Sequence, residues 1–501
     1  MKGIRIAAAS TAAVLLGGAS AFAADLSMPV KAVPISGPTV CTSIVDFFTT
    51  ACQVSAYGVR FYGTIDIGGS YMTNPTPLDR LPGPGVGYFP LKNSGVHGAG
   101  FTASPNGMSY SGIGLQINEN LGGGWRFVGQ VEAAFLPTSF NLGNNPGSVQ
   151  ENAGLTLAQQ KAGADGSAQG SFYNQFGYAG FSHDTWGTLT FGRQNNLAKD
   201  AAIAYDPFGN AFAFSYIGFF GATAGGGDTE DVKSTTAIKY RLNVANFRFG
   251  FMSQFGGYDA GNPSNGMYQG DIGGDFHVGP GILSLDVVGS WTKDAVSEGL
   301  VGSVDPNGVG IAFGPNAVGQ NLLATISNNT SVMVAGRYTW DRLKLYAGYE
   351  WIQFAKPSDD ITSFTDINGQ FLSSAVSFNG VPVIVNSGNF NFADKVQQTA
   401  WVGARYAITS SLDAIGSYTH VDFGAFASSA AGVPASCATN DRSSANCHGT
   451  VDSVAFALDW QFAPKWDTYL GTLYTKNGGS QANGFVVDNN WSTTAGVRFR
   501  W

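Results

Sequence analysis

The chain has 501 residues, of which only 12% are charged, and it carries 69 Gly, 36 Phe and a formal net charge of -8. Low charge with abundant aromatics excludes a disordered chain, and the acidic balance gives no footing for nucleic-acid binding. Mean hydropathy is close to zero, which does not exclude a membrane protein whose strands show lipid only alternate residues.

The first residues combine Lys2 and Arg5, an apolar run from residue 6 to 16, and Ala21, Phe22 and Ala23 ahead of Ala24. That pattern reads as a secretory signal over residues 1–23 with an A-x-A cleavage site. Beyond it lies no run of about 18 or more apolar residues, so any crossing of a membrane has to be made with strands. Residues 24–57 form a short N-terminal segment, expected on the periplasmic side, where a brace is one reading of it. It contains Cys41 and Cys52, which with Cys437 and Cys447 make two close pairs. In an exported chain these read as two local disulfides; zinc is the alternative, but neither pair has C-x-x-C spacing.

From residue 58 onward the apolar and polar residues alternate with a period of two. In the first strand, 59–71, Val59, Phe61, Ile65, Ile67 and Tyr71 share one face, and Arg60, Thr64, Asp66 and Ser70 share the other. Strands follow at 109–118 and 125–135, the second alternating Trp125, Phe127, Val131 and Phe135 with Arg126, Gln130 and Glu132. Further strands are predicted at 171–182, 186–194, 233–241, 247–255, 270–278, 282–293, 331–339, 342–354, 396–406, 411–421, 451–461, 465–475 and 491–501. Sixteen segments result, joined alternately by short Gly, Pro, Asp or Asn turns and by long polar loops.

Tight turns at one rim and long loops at the other are the pattern of a bacterial transmembrane antiparallel β-barrel, and an even strand number lets the wall close without exposed edges. A soluble sandwich would also alternate. The aromatics Trp125, Phe135, Trp291, Tyr349, Trp351 and Trp501 fall near the ends of apolar faces, where membrane-interface girdles belong.

Several stretches resemble the general diffusion porins of Gram-negative bacteria, in particular alphaproteobacterial ones. They are Phe61-Tyr62-Gly63-Thr64-Ile65-Asp66, Asn120-Leu121-Gly122-Gly123-Gly124-Trp125, residues 186–194 with Gly192-Arg193-Gln194, and Leu345-Tyr346-Ala347-Gly348-Tyr349. The end of the chain, Thr494 to Trp501, is similar to the terminal strand that the barrel-insertion machinery reads in outer-membrane proteins.

The resemblance implies a sixteen-stranded barrel over residues 58–501 in outer-membrane lipid, usually a homotrimer, passing small hydrophilic solutes and ions without a cofactor. It also implies that the loop at 195–232 folds into the lumen as a constriction, with acidic residues facing basic ones on the wall. Asp200 and Asp206 are the loop candidates, with Asp228, Glu230 and Asp231 weaker and open to a solvated-tip or Ca2+ reading. Arg193 and Lys233 are the wall candidates. Opposed charges across a narrow wet gap would orient dipolar solutes and sort ions by sign.

Two departures matter: Gly112 and Gln175 stand where many relatives carry Arg. Weak cation preference or little selectivity is the expectation. Strand parity adds Arg60, Asp66, Arg126, Glu132, Arg248, Arg342 and Lys344 as possible lumen lining, with Gln175, Glu350 and Arg405.

Two rivals differ in kind. A substrate-specific, sugar-type channel could use inward Tyr62, Tyr346 and Trp401 as an aromatic path. A barrel-borne hydrolase would need a His beside a Ser and a carboxylate, and His420 at the long-loop side is the residue to watch, although no nucleophile motif is present. The expectation is therefore a channel and not an enzyme, with no metal site.

Overall fold

The computed structural model describes residues 40–74, 99–104, 106–135, 137, 173, 175–217, 233–234, 237–255, 266–298, 302–303, 320–358, 364–365, 371–372, 375–378, 381–386, 394–424, 448–479 and 488–501. Sixteen strands make the wall. They are β1 (Val59–Met72), β2 (Ser111–Gly122), β3 (Trp125–Phe135), β4 (Phe176–His183), β5 (Gly187–Asn195), β6 (Ala237–Val244), β7 (Phe247–Gln254) and β8 (Met267–Val278), then β9 (Gly281–Glu298), β10 (Gln320–Trp340), β11 (Leu343–Ala355), β12 (Lys395–Ala407), β13 (Leu412–Phe423), β14 (Gly449–Ala463), β15 (Trp466–Gly479) and β16 (Asn489–Arg500). Each pairs antiparallel with the next, and β16 returns to β1 through Thr64 opposite Arg500 to Met72 opposite Ser492. The wall is closed, so every strand finds its backbone partners within the sheet.

The solvent preference of the wall is inverted. Thr64, Asp66, Ser70, Asn329, Ser331 and Thr399 are buried inside, while Ile67, Phe249, Ile272, Val332, Val454 and Leu470 are exposed outside. An apolar outer face with a polar interior is stable only where the outside is lipid. Aromatics mark both ends of that face: Trp125, Trp186, Trp340, Tyr406 and Trp460 at the short-turn rim, Tyr268, Trp291, Tyr349 and Trp491 towards the other. Phe135 and Trp501, expected in the girdles, are instead covered.

The eight long connections all leave from one rim, as expected. The strands differ most from expectation at β9 and β10, which run to Glu298 and start at Gln320. Their extra lengths of ladder break the alternation, with Leu322, Leu323 and Ala324 in one run and Ser327, Asn328, Asn329 and Thr330 in another, while the pairing continues. At about 3.3 Å per residue, a strand of 21 residues is far longer than an apolar band of about 25 Å.

At the other rim, against the outer face of the wall, Cys41 and Cys52 are disulfide-bonded and close a hook that contains α1 (Ile44–Thr49). Cys437 and Cys447 lie outside the described residues.

Candidate pore constriction

The connection after β5 turns inward. Asn196 caps α2 (Leu197–Tyr205) by accepting the Lys199 N–H at 2.7 Å, and Gln269 of β8 accepts the Leu197 N–H at 2.6 Å. One stripe of α2, Leu197, Ala198, Ala201, Ala202 and Tyr205, is buried. Its seat is a run of apolar side chains on the inner wall: Met252, Met267, Val288, Met333, Ala335 and Trp401. Inside a polar lumen such residues make sense only beneath a packed segment. Trp401 donates its indole N–H to the Tyr205 carbonyl at 3.0 Å, and the Tyr205 hydroxyl donates to Asp286 at 2.5 Å.

Beyond α2 the chain crosses to the opposite wall. Phe208, Ala211, Ala213, Phe214 and Tyr216 pack on Met72, Ile415, Val421, Val451, Ala455, Ala457, Tyr469 and Leu473. Two wall glycines admit it: a Cβ at Gly403 would lie 2.4 Å from Pro207, and one at Gly471 would lie 2.6 Å from Phe214. The Ala213 N–H is accepted by the Gly107 carbonyl of a second inward piece, made by residues 104 and 106–110.

Asp66 organises that second piece. Its carboxylate accepts the N–H groups of Met108 and Ser109 at 2.8 and 2.9 Å and the Tyr469 hydroxyl at 2.6 Å. With no exposed surface, it anchors the constriction and does not line water.

The charges on the inward loop are engaged differently from one another. Asp200 pairs with Lys239 and, at 2.7 Å, with Arg241 of β6; Arg241 also reaches Asp271 of β8 at 2.8 Å. Burial pushes the Asp200 carboxyl up, but Lys239 and Arg241 outweigh it and hold it below the ordinary range. Asp206 accepts the N–H groups of Phe208 and Asn210 and so spends its carboxylate on the turn after α2; burial raises it. Lys199, between them, is brought down to about 8 by burial against the opposing pull of Asp206 and Asp200.

Around the rest of the inner wall, arginines alternate with aspartates. Arg248 meets Asp275 at 2.5 Å and Asp286 at 3.1 Å; Arg405 meets Asp413 at 2.7 Å and Asp459 at 3.8 Å; Asp467 holds Arg498 and Arg500, each at 2.9 Å. Strand parity marks all of these as inward, and apart from Arg248 and Arg405 the sequence reading passed over them.

The other expected residues fall in several places. Arg60 points inward near the short-turn rim, and its Nε is buried without a hydrogen-bond partner among the described residues. Arg126 meets Asp184 of the β4–β5 turn at 2.7 Å. Glu132 is buried and accepts the hydroxyls of Tyr62 and Tyr110, with Gln130 donating to Tyr62 at 2.6 Å. Gln175 is half-buried and donates its backbone N–H to Glu132 at 3.1 Å, and Gly112 lies opposite Thr64. Lys344 and Glu350 are buried on the inner face, whereas Arg342 is exposed in the β10–β11 turn, donating to the Ile408 carbonyl at 3.4 Å. Arg193 is half-buried after Gly192 and pairs in register with Gly177. The Lys233 backbone pairs with Asn195; Asp228, Glu230 and Asp231 lie outside the described residues.

The features behind the two rival readings are placed as follows. Tyr62, Tyr346 and Trp401 are buried, Trp401 beneath α2, so they do not present an aromatic path. His420 meets Asp452 at 2.8 Å on the outer face, and no serine shares it among the described residues.

No curated protein matches the sequence. Among solved structures, the anion-selective porin from Comamonas acidovorans is similar with a TM-score of 0.53 at 13% identity, over 88% of this chain and 99% of that one. OmpT of Vibrio cholerae, expressed in the outer membrane, gives a TM-score of 0.49 at 13% identity, over 90% of this chain and 100% of that one. The family model of the Gram-negative porins matches residues 9–480. With that match over nearly its whole length, and with a closed sixteen-stranded wall around an inward loop, the chain belongs to the Gram-negative porins and is an outer-membrane channel for passive diffusion.

Proposed function

We propose that the channel is a general diffusion porin for small hydrophilic solutes and ions, working as a homotrimer, with the loop from Asn195 as its constriction. The observation that carries this reading is the seating of residues 197–217 across the lumen on two apolar patches of the wall. A loop packed that way narrows the bore at a fixed place and leaves passage to size and charge. The segment Thr494 to Trp501 serves as the signal for the barrel-insertion machinery, on the strength of its resemblance to other terminal strands.

Selectivity among ions is weak in this reading. Arg126, Lys239, Arg241, Arg248, Arg405, Arg498 and Arg500 each sit within 3 Å of a carboxylate, so their fields cancel over short distances and leave little net bias across the gap. Burial of Tyr62, Tyr346 and Trp401 speaks against a sugar-type path.

Liposome swelling tests both points. Unrelated sugars and amino acids are expected to enter at rates that fall with size; a saturable rate for one sugar alone would favour the substrate-specific alternative. Reversal potentials in a salt gradient are expected near zero or slightly cation-selective, and strong anion selectivity would overturn the charge argument.

A further inference from the structure

The hook closed by Cys41 and Cys52 lies on the outer face of the wall, at the short-turn rim, over the seam where β16 meets β1. Phe499 shares strand parity with the exposed Val497, so its ring points outward. Phe48 stacks on it at 5.3 Å, and Phe47 meets it edge-on at 5.6 Å and Trp501 at 5.9 Å. The wall fixes the piece in place. Lys465 donates to the Phe47 carbonyl and Trp466 to the Phe48 carbonyl, each at 2.9 Å, and Val54–Ala56 pairs with the foot of β1 from Val59 to Phe61.

The chemistry of the hook selects what covers its far side. Ile44 is 75% exposed and Val45 64%, and Phe48 and Tyr57 are exposed beside them, so water is a poor neighbour. Hydrocarbon is a worse one. The Thr42 hydroxyl donates to Asp46 and holds its carboxyl below the ordinary range, so the hook carries a charge. The chain on either side of α1 is irregular and is joined by an isolated bridge between Val40 and Gln53. Charged groups and irregular backbone persist on the outside of a barrel only where protein covers them.

A surface that suits neither water nor lipid suits another protein surface, which buries apolar side chains and pairs polar ones. The homotrimer proposed above supplies that protein. We propose that the hook is a subunit clamp: Ile44, Val45 and Phe48 of each copy pack against the outer wall of the next, and the ring of copies closes through this contact. The clamp rests on the homotrimeric reading and adds to it the residues that make the contact. Because the wall already holds α1 by its backbone and its aromatic rings, little ordering is left to be lost on docking.

The test places the photocrosslinker benzoylphenylalanine at Ile44 or Val45 of the full chain in native outer membranes, beside wild-type protein treated with glutaraldehyde. A chain-to-chain adduct, running as a covalent multimer after irradiation, is expected at both positions. With wild type crosslinking as a trimer, an adduct to phospholipid, an adduct to residues 24–39 of the same chain, or no adduct would each overturn the clamp alone. Wild type that stays monomeric in glutaraldehyde would overturn the homotrimer together with the clamp. An independent variant combines Ile44→Glu with Val45→Glu, two exposed positions outside the barrel ladder. Light scattering of the detergent-extracted variant is expected to show a loss of the trimer to monomers that keep the folded, heat-modifiable band; an unchanged trimer mass would overturn the proposal.

Discussion

Asp200 is the residue whose removal has the clearest electrical consequence. Its carboxylate is nearly buried between Lys239 and Arg241. Stripping a buried pair of one partner costs about 3–5 kcal/mol in a dry interior, but a wetted lumen lets the cations rehydrate, so Asp200→Asn should fold. It leaves two cations beside the gap with one carboxylate fewer. A unit charge acts on an ion about 4 Å away with about 1 kcal/mol in water, so a roughly five-fold shift of the permeability ratio toward anions is expected in reversal potentials. An unchanged ratio would place Asp200 away from the ion path. Lys199 gives the pH counterpart. Its proton is lost near pH 8, so it is cationic at pH 7 and neutral at pH 9. Cation preference should therefore rise between those values, and Lys199→Gln should show the high-pH behaviour throughout; a pH response that survives the substitution would assign the titration elsewhere.

At the scale of elements, the period of two revealed the wall because lipid on one side and water on the other impose it residue by residue. The same signal vanished along the outer parts of β9 and β10, where no lipid demands apolar residues although the ladder goes on. The seat of the inward loop was legible but only partly read: Met252, Met267 and Met333 have inward parity in a lumen that should be polar, and Trp401, recognised as inward, suggested a sugar path where it is in fact a seat for α2. The role of Asp66 was not legible, since its partners Met108 and Ser109 come from an irregular piece, where the alternation had placed Ser109 at the start of a strand that begins only at Ser111. The loop has two independent seats, and that allows them to be separated. Phe214 is buried against Phe208, Tyr469 and Gly471, while α2 rests on other strands. Phe214→Ala forfeits about 3–5 kcal/mol of packing, charged to the docking of the distal half of the loop and not to the wall ladder. Single-channel recordings are expected to show a larger and noisier conductance with unchanged heat resistance of the barrel. Wild-type conductance would mean that the distal half does not border the bore.

Closure makes the whole molecule depend on one junction, where the first strand must find the last. No sequence pattern pairs Thr64 with Arg500; the even strand count alone implied it. The hook spans this junction from outside, with Phe47 on Phe499 and Trp501 and with Lys465 and Trp466 holding the α1 backbone. Its shape rests on the disulfide, which closes a loop with a sequence separation of 11. A cross-link over a loop of that size restrains the open form by about 3 kcal/mol. Replacing Cys41→Ser together with Cys52→Ser should therefore loosen the hook and uncover Phe499 and Trp501, while the wall itself keeps every ladder bond. The measurement is the temperature at which the folded band gives way to the unfolded one on a gel, read with and without reductant. Wild-type protein is expected to lose heat resistance on reduction, and the double variant to show the lower temperature in both conditions. If the variant matches oxidised wild type, the hook contributes nothing to holding the seam.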